Sequence, residues 1–376
     1  MATRGTDILT PSRPVPGPAP ARSVLPAGNR IPALDGLRTI SILFVLLAHL
    51  SGTRHFLRSQ VLEIYGNFGV RIFFILSGFL ITTLLLDEHR KTGTVSLHYS
   101  YHRRAYRILP AAYAFMLLTI AVNWSSLSLP HIAVALTYVS NYYPGGNWVL
   151  GHLWSISVQE QFYWLWPLIL SRFFRQRLWI VAGLIILGPP ARILLWLLWG
   201  YRAIAHPFPA VMDALGTGCA LAMLQPQMQC MGRWLRSRWF CIIPALTTLL
   251  PMLRLHHNRF YQVVGLTVLH LGIAISIQHA IEMRYCCLQW RGVVWLGNLS
   301  YSLYLWQQPF LNRNSAGWWA AFPLNLCLAL LCAVTSYYCV ERPFMAMRER
   351  KKRPKVVLNS GMPQNLTVGA NRSSAA

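Results

Sequence analysis

Two groups that handle protons stand in stretches of this chain that are otherwise apolar. His49 follows Arg38 by eleven residues, a helical rise of about 16 Å at 1.5 Å per residue. Arg38 therefore marks one end of an apolar helix, and His49 lies toward the other. Imidazole titrates near neutral pH, which suits a general base acting on a hydroxyl. Glu160 lies in the run Ser155-Ile156-Ser157-Val158-Gln159-Glu160-Gln161, a polar start for a span, and such a start lines a cavity rather than facing lipid. Histidine with a carboxylate is a proton-handling arrangement, so Glu160 is expected to orient His49 or to stabilise its charged form.

A second chemistry is anion binding. Arg104 and Arg107 are one helical turn apart in Tyr101-His102-Arg103-Arg104-Ala105-Tyr106-Arg107, a spacing at which two guanidinium groups can hold a phosphate by bidentate bonds. The plainer reading is anchoring of a helix at the inner membrane face. Arg192 and Asp213 fall in neighbouring spans and read as a structural ion pair. Ser77-Gly78 is preceded by Ile75 where a rhomboid-type G-x-S-G serine site has glycine, which favours helix packing through small residues. The eight cysteines show no C-x-x-C and no zinc spacing, so they read as apolar fillers and membrane-edge thiols, with no metal site.

These groups need elements to hold them, and composition says which. Of 376 residues, 55% are hydrophobic and 12% charged, against roughly 25% charged in a soluble domain. A helix needs about 20 apolar residues to cross the hydrocarbon layer, and candidates fall near 37–53, 67–86, 108–124, 152–171, 178–199, 208–224, 239–254, 260–282, 293–312 and 317–341. Lipid leaves exposed backbone unsatisfied, so the expected fold is all-α: a polytopic membrane bundle of about ten transmembrane helices. His131 to Tyr142 is too short and too polar at its ends to be an eleventh.

The net charge of +24 is scattered between spans, which the positive-inside rule explains without nucleic acid as a partner. With ten spans, most of the 34 Lys and Arg fall on one face, and Arg54, Arg58, Arg202, Arg254, Arg259 and Arg313 on the other, so both termini are expected in the cytoplasm. Residues 1–30 are rich in Pro, Arg, Ser and Ala and read as a disordered tail. Residues 31–345 form the membrane domain, and 346–376 a basic, disordered cytoplasmic tail that anchors near anionic lipid.

The same residues carry a family resemblance. Asp35-Gly36-Leu37-Arg38, ten residues and His49 resemble the R-x10-H signature of the acyltransferase-3 family, bacterial membrane enzymes that O-acylate surface glycans and related acceptors. The resemblance continues, in order, through Gly69 to Ile81, Arg104 and Arg107, His152 to Pro167, Asp213-Ala214-Leu215-Gly216, Leu296 to Trp306 and Glu341-Arg342-Pro343. Two positions depart from it: the family's Val-Glu-Glu-Gln reads Val158-Gln159-Glu160-Gln161, and Gln307 stands where a histidine is frequent.

The resemblance implies an acyl-CoA donor, usually acetyl-CoA, entering from the cytoplasm, with no permanently bound cofactor. Arg104 and Arg107 would hold its phosphates and Arg38 would guard the inner mouth. His49 would activate an acceptor hydroxyl with help from Glu160, or carry the acyl group transiently. Asp35, Ser77, His152, Arg192, Asp213, Tyr301 and Tyr304 would form the supporting pocket. The acceptor would be a cell-surface or exported saccharide or glycolipid, and the place the bacterial inner membrane. The competing class is a transporter or flippase of a lipid-linked glycan, which would also bury charges near the bilayer midplane.

Overall fold

The computed structural model describes residues 31–143, 147–200, 206–256 and 259–352. The expected tail at 1–30, and all but the start of that expected at 346–376, lie outside the described residues. Residues 346–352 continue a helix instead of beginning a tail.

The described chain is helical, without strands. In order, the α-helices are α1 Pro32–Leu50, α2 Gln60–Thr92, α3 Leu97–Val122, α4 Leu129–Leu136, α5 Trp148–Gly151, α6 Leu153–Arg172, α7 Arg177–Ile186, α8 Gly188–Trp199, α9 Phe208–Met223, α10 Gln225–Cys230, α11 Gly232–Leu235, α12 Ile242–Leu249, α13 Leu266–Met283, α14 Cys286–Gln289, α15 Arg291–Phe310, α16 Leu324–Ser336 and α17 Arg342–Lys352. Local signals set the boundaries. Pro32 opens α1 at a position whose N–H would have no partner. Ser59 and Ser96 cap α2 and α3 through their hydroxyls. Gly93 ends α2 in the left-handed conformation, with φ 73°.

Five helical segments among the described residues are long and apolar enough to cross a membrane: Pro32–Leu50, Gln60–Thr92, Leu97–Val122, Tyr261–Met283 and Leu324–Glu349. The stretch expected as one span at 178–199 is two helices, bent by 42° where Pro189 and Pro190 interrupt the hydrogen-bond ladder. The stretch at 239–254 is a 3-10 turn, the short α12 and another 3-10 segment. The segment around His131 is only the eight-residue α4. Helices α6 and α15 are 20 residues each, but bury Ser155, Ser157 and Glu160, and Ser300, Ser302, Gln307 and Gln308, so their polar faces turn into the bundle.

Helices α2 and α9 cross where two glycines let their backbones touch. A Cβ on Gly78 would collide with the Leu215 carbonyl, and one on Gly218 with that of Ile75. That contact gives Gly78 the packing role expected for the Ser77-Gly78 pair.

Beside it lies a fully buried ion network joining α8, α9 and α13. Arg192 donates to Asp213 Oδ2 at 3.0 Å, to the carbonyls of Ala210 and Val263, and to Thr267. Thr267 donates in turn to Asp213 at 2.6 Å, and His270 Nδ1 lies 3.1 Å from the same carboxylate. Removing one member of such a network strands a buried charge, at a cost of about 3–5 kcal/mol. Arg192→Leu is therefore expected to lower the melting temperature in detergent sharply, and Arg192→Leu with Asp213→Leu to recover part of it. A loss in the double variant equal to the sum of the Arg192→Leu and Asp213→Leu losses would show that the pair does not hold these helices.

Candidate active site

Helix α1 sets both ends of the site. Arg38, in its second turn, makes a 2.6 Å ion pair with Asp35, and His49 stands in its last turn. The α1 backbone is held against α15, where Gly297 lies so close to the Asp35 carbonyl that a Cβ would not fit and Thr39 donates to the Val293 carbonyl. His49 thereby reaches α15 at Gln307, with Nδ1 2.7 Å from Oε1.

The amide network around Gln307 determines which imidazole nitrogen carries the proton. Gln308 Nε2 donates to the Trp148 carbonyl at 2.7 Å, so Gln308 Oε1 is an acceptor, and Gln307 Nε2 donates to it at 3.1 Å and to the Tyr304 carbonyl at 3.4 Å. Gln307 Oε1 is then the atom turned toward His49, and it can only accept. His49 Nδ1 carries the hydrogen, which leaves Nε2 as the basic nitrogen. Trp148 packs edge-on against the imidazole at 5.5 Å between centroids, and its Nε1 is tied to the Gln308 carbonyl at 2.9 Å.

Glu160 is not the partner of His49 that the sequence suggested. Its carboxylate takes both arms of Arg104, Nη2 to Oε1 at 2.6 Å and Nε to Oε2 at 3.4 Å. The Arg104 guanidinium also lies 2.9 Å over the Tyr163 ring. A buried carboxylate attracts the nearest guanidinium because neither can stay charged in a low-dielectric interior without the other. The expected Arg104 and Arg107 pair is thus divided: Arg104 is neutralised by Glu160, while Arg107 stays exposed to a cavity.

Three cavities run along this axis. The mouth, about 660 Å³, lies among Asp35, Asp87, Tyr99, Tyr337, Glu341 and Arg348. A middle cavity of about 350 Å³ is lined by Phe73, Phe74, Ser77, Gln159, Tyr301 and Tyr304. A far cavity of about 450 Å³ holds His49 with Glu63, Asn67, Trp148, His152, Gln308 and Arg313. Mouth and middle share Arg38, Arg103, Arg107 and Arg348, a ring of four guanidinium groups, together with Leu80 and Leu84. Middle and far share Val70 and Tyr304.

The remaining expected residues divide between this axis and the scaffold. Ser77 accepts from Gln159 Nε2 at 3.1 Å on the middle wall, and Tyr301 donates to the Ile108 carbonyl at 3.1 Å. The Tyr304 hydroxyl is 2.6 Å from Ser155 Oγ and donates to the His152 carbonyl at 3.1 Å. The His152 ring is wedged between Phe115 and Tyr304, with both nitrogens buried. Arg192 and Asp213 line none of the three cavities; they belong to the structural network on α8, α9 and α13.

Sequence reasoning noted Gln307 only as a departure from the family's frequent histidine, and did not single out Trp148, Arg103 or Arg348. Arg103 had a signal, standing beside Arg104; Arg348 was masked by its place in a run that reads as a lipid anchor.

A family model described as an acyltransferase domain, that of acyltransferase-3, matches residues 31–340. The chain belongs to the acyltransferase-3 family. Among curated proteins it is similar to the putative peptidoglycan O-acetyltransferase YrhL of Bacillus subtilis, 27% identical over 387 residues covering 88% of this chain and 57% of that protein. It is likewise similar to O-acetyltransferase OatA of Staphylococcus aureus, 27% identical over 358 residues covering 83% of this chain and 57% of that protein. The chain thus spans somewhat more than half the length of these relatives. No solved structure matches it.

The role of Gln307 in this candidate site can be tested directly. Gln307→Leu removes the acceptor for His49 Nδ1–H, and is expected to lower kcat for acyl transfer about 10- to 100-fold with donor KM little changed. Gln307→Glu keeps an acceptor for His49 but turns a carboxylate oxygen toward Gln308 Oε1 and the Tyr304 carbonyl, which Gln307 Nε2 serves, and is expected to recover only part of the rate. Full activity of Gln307→Leu would contradict this orienting role.

Proposed function

We propose that this protein is a multi-pass membrane O-acyltransferase, of the acetyltransferase kind, that moves an acyl group from cytoplasmic acyl-CoA to a hydroxyl of a cell-surface or exported saccharide. The observation that carries the reading is the run of adjoining cavities that leads from four arginines, past Phe73, Leu80 and Tyr301, to His49, whose Nδ1 is occupied by Gln307 and whose Nε2 is the basic nitrogen. Coenzyme A has that shape of chemistry: phosphates at one end, a long neutral arm, and a thioester at the other. Family membership and the relatives named as O-acetyltransferases favour the same reading.

In this reading the ten apolar stretches are spans, both termini are cytoplasmic, and the bilayer is the bacterial inner membrane. The donor's phosphates lie among Arg38, Arg103, Arg107 and Arg348, where guanidinium forks match phosphate oxygens. Its arm threads the middle cavity between Phe73, Leu80 and Tyr301. The acceptor enters the far cavity, where the Trp148 ring and the amides of Asn67 and Gln308 offer a stacking face and hydrogen bonds of the sort that sugars take.

His49 Nε2 accepts the proton of the acceptor hydroxyl as its oxygen attacks the thioester carbonyl. The carbon–sulfur bond then breaks, and the CoA sulfur leaves with that proton. Gln307 holds the imidazole in the required tautomer throughout. Glu160 acts one step removed, by keeping Arg104 in place on the middle wall.

The test is transfer of label from radiolabelled acetyl-CoA to saccharide in membranes with matched expression. His49→Ala is expected to lower kcat about 1000-fold while CoA still binds. Arg107→Ala is expected to raise donor KM about 10- to 100-fold with kcat within a few-fold, as the loss of a charged hydrogen bond would. Label transfer at the normal rate by His49→Ala would overturn the assignment. Passage of unmodified glycan across the membrane without any label transfer would favour a flippase.

A further inference from the structure

We infer that Tyr304 and Val70 form the aperture through which the acyl end of the donor reaches His49, and that this aperture selects acyl groups by cross-section, admitting straight chains and excluding branched ones. The inference rests on the donor path proposed above and adds a specificity determinant to it.

The middle and far cavities are separate spaces whose linings meet at these two side chains, on α15 and α2. Any group that passes from the arginine ring to the His49 nitrogen passes between them. Both are buried, each 8% exposed, so neither side chain has open solvent to move into. Tyr304 cannot swing aside freely. Its hydroxyl is held by Ser155 Oγ at 2.6 Å and by the His152 carbonyl at 3.1 Å, and its ring rests on those of Phe73 and His152. Val70 is β-branched on a helix and has one strongly preferred rotamer, so the opposite jaw is stiff as well.

A stiff aperture discriminates by width. The thiol end of the phosphopantetheine arm is made of methylenes and planar amide and thioester groups, so where it passes, a straight acyl group passes too. A methyl branch next to the carbonyl adds width at the point that must pass. The apolar walls at Val70 and Phe73 add a penalty for acyl groups that end in a carboxylate. Length is limited separately, by the room in the far cavity.

Butyryl-CoA and isobutyryl-CoA carry the same atoms and differ only in width, which makes them the discriminating pair. Wild type is expected to use the straight isomer at least about tenfold better by kcat/KM, and Tyr304→Ala and Val70→Ala to lose most of that preference. A fault in folding would depress both isomers together and leave their ratio alone. Tyr304→Phe frees the ring from its two hydroxyl partners and is expected to lower the ratio in part, which keeps the test usable if Tyr304→Ala does not fold. Val70→Phe closes the gap and is expected to lower acetyl transfer about 100-fold while binding of unacylated CoA stays within about twofold.

Equal use of the two isomers by wild type, an unchanged ratio in Tyr304→Ala, or normal acetyl transfer by Val70→Phe would each overturn the aperture while leaving the acyltransferase reading intact. A wild type that transfers no acyl group from any CoA would overturn the acyltransferase reading and the aperture with it.

Discussion

A charge inside a bundle that faces lipid must find its partner within the bundle or in water held there, and the rest of this structure follows from that constraint. Asp35 takes Arg38, Glu160 takes Arg104, and Asp213 takes Arg192. Glu160 takes Arg104 out of the expected phosphate pair and Asp213 ties up Arg192, whereas Arg38 is paired with Asp35 and still lines both mouth and middle. What remains for an anion is the set of arginines that mouth and middle share, on α1, α3 and α17, while the far cavity holds His49, amides and rings beside the Glu63–Arg313 ion pair. The polarity of the axis is thus a by-product of which carboxylates are buried.

At the far end the demand is different. A histidine that must accept a proton needs its other nitrogen occupied, and a neutral acceptor does this without adding a charge to the interior. Gln307 serves because its own orientation is fixed by Gln308 and the Tyr304 carbonyl, so the chain of amides transmits a defined tautomer to His49. A histidine at that position would have two nitrogens of ambiguous protonation and would set the tautomer only through further partners.

Periodicity along a single helix was legible from sequence, and contact between helices was not. Arg38 and His49 read correctly as the two ends of one element because eleven residues of helix impose their separation. The apolar stretches all correspond to helical segments, but the stretch near 178–199 bends at Pro189 and Pro190, and that near 239–254 alternates between 3-10 and α geometry, with Pro244 in the first turn of α12 and Pro251 in the 3-10 segment after it. The partner of Glu160 could not be read, since both His49 and Arg104 were chemically suitable and only the packing of α3 on α6 chooses Arg104. Gln307 is 258 residues from His49, and nothing in either local pattern links them. Arg348 was assigned to a tail because its run is basic, whereas α17 carries it back over α3, where it donates to the Arg103 carbonyl.

The central claim is that one donor molecule joins the arginine ring to His49. A cryo-electron microscopy structure of the full chain in lipid, with a non-hydrolysable thioether analogue of acetyl-CoA bound, tests it most directly. The account predicts phosphate density among Arg38, Arg103, Arg107 and Arg348, an extended arm through the middle cavity, and the acetyl end within hydrogen-bonding reach of the space before His49 Nε2. Phosphates bound elsewhere, or an arm that ends short of Tyr304 and Val70, would contradict it.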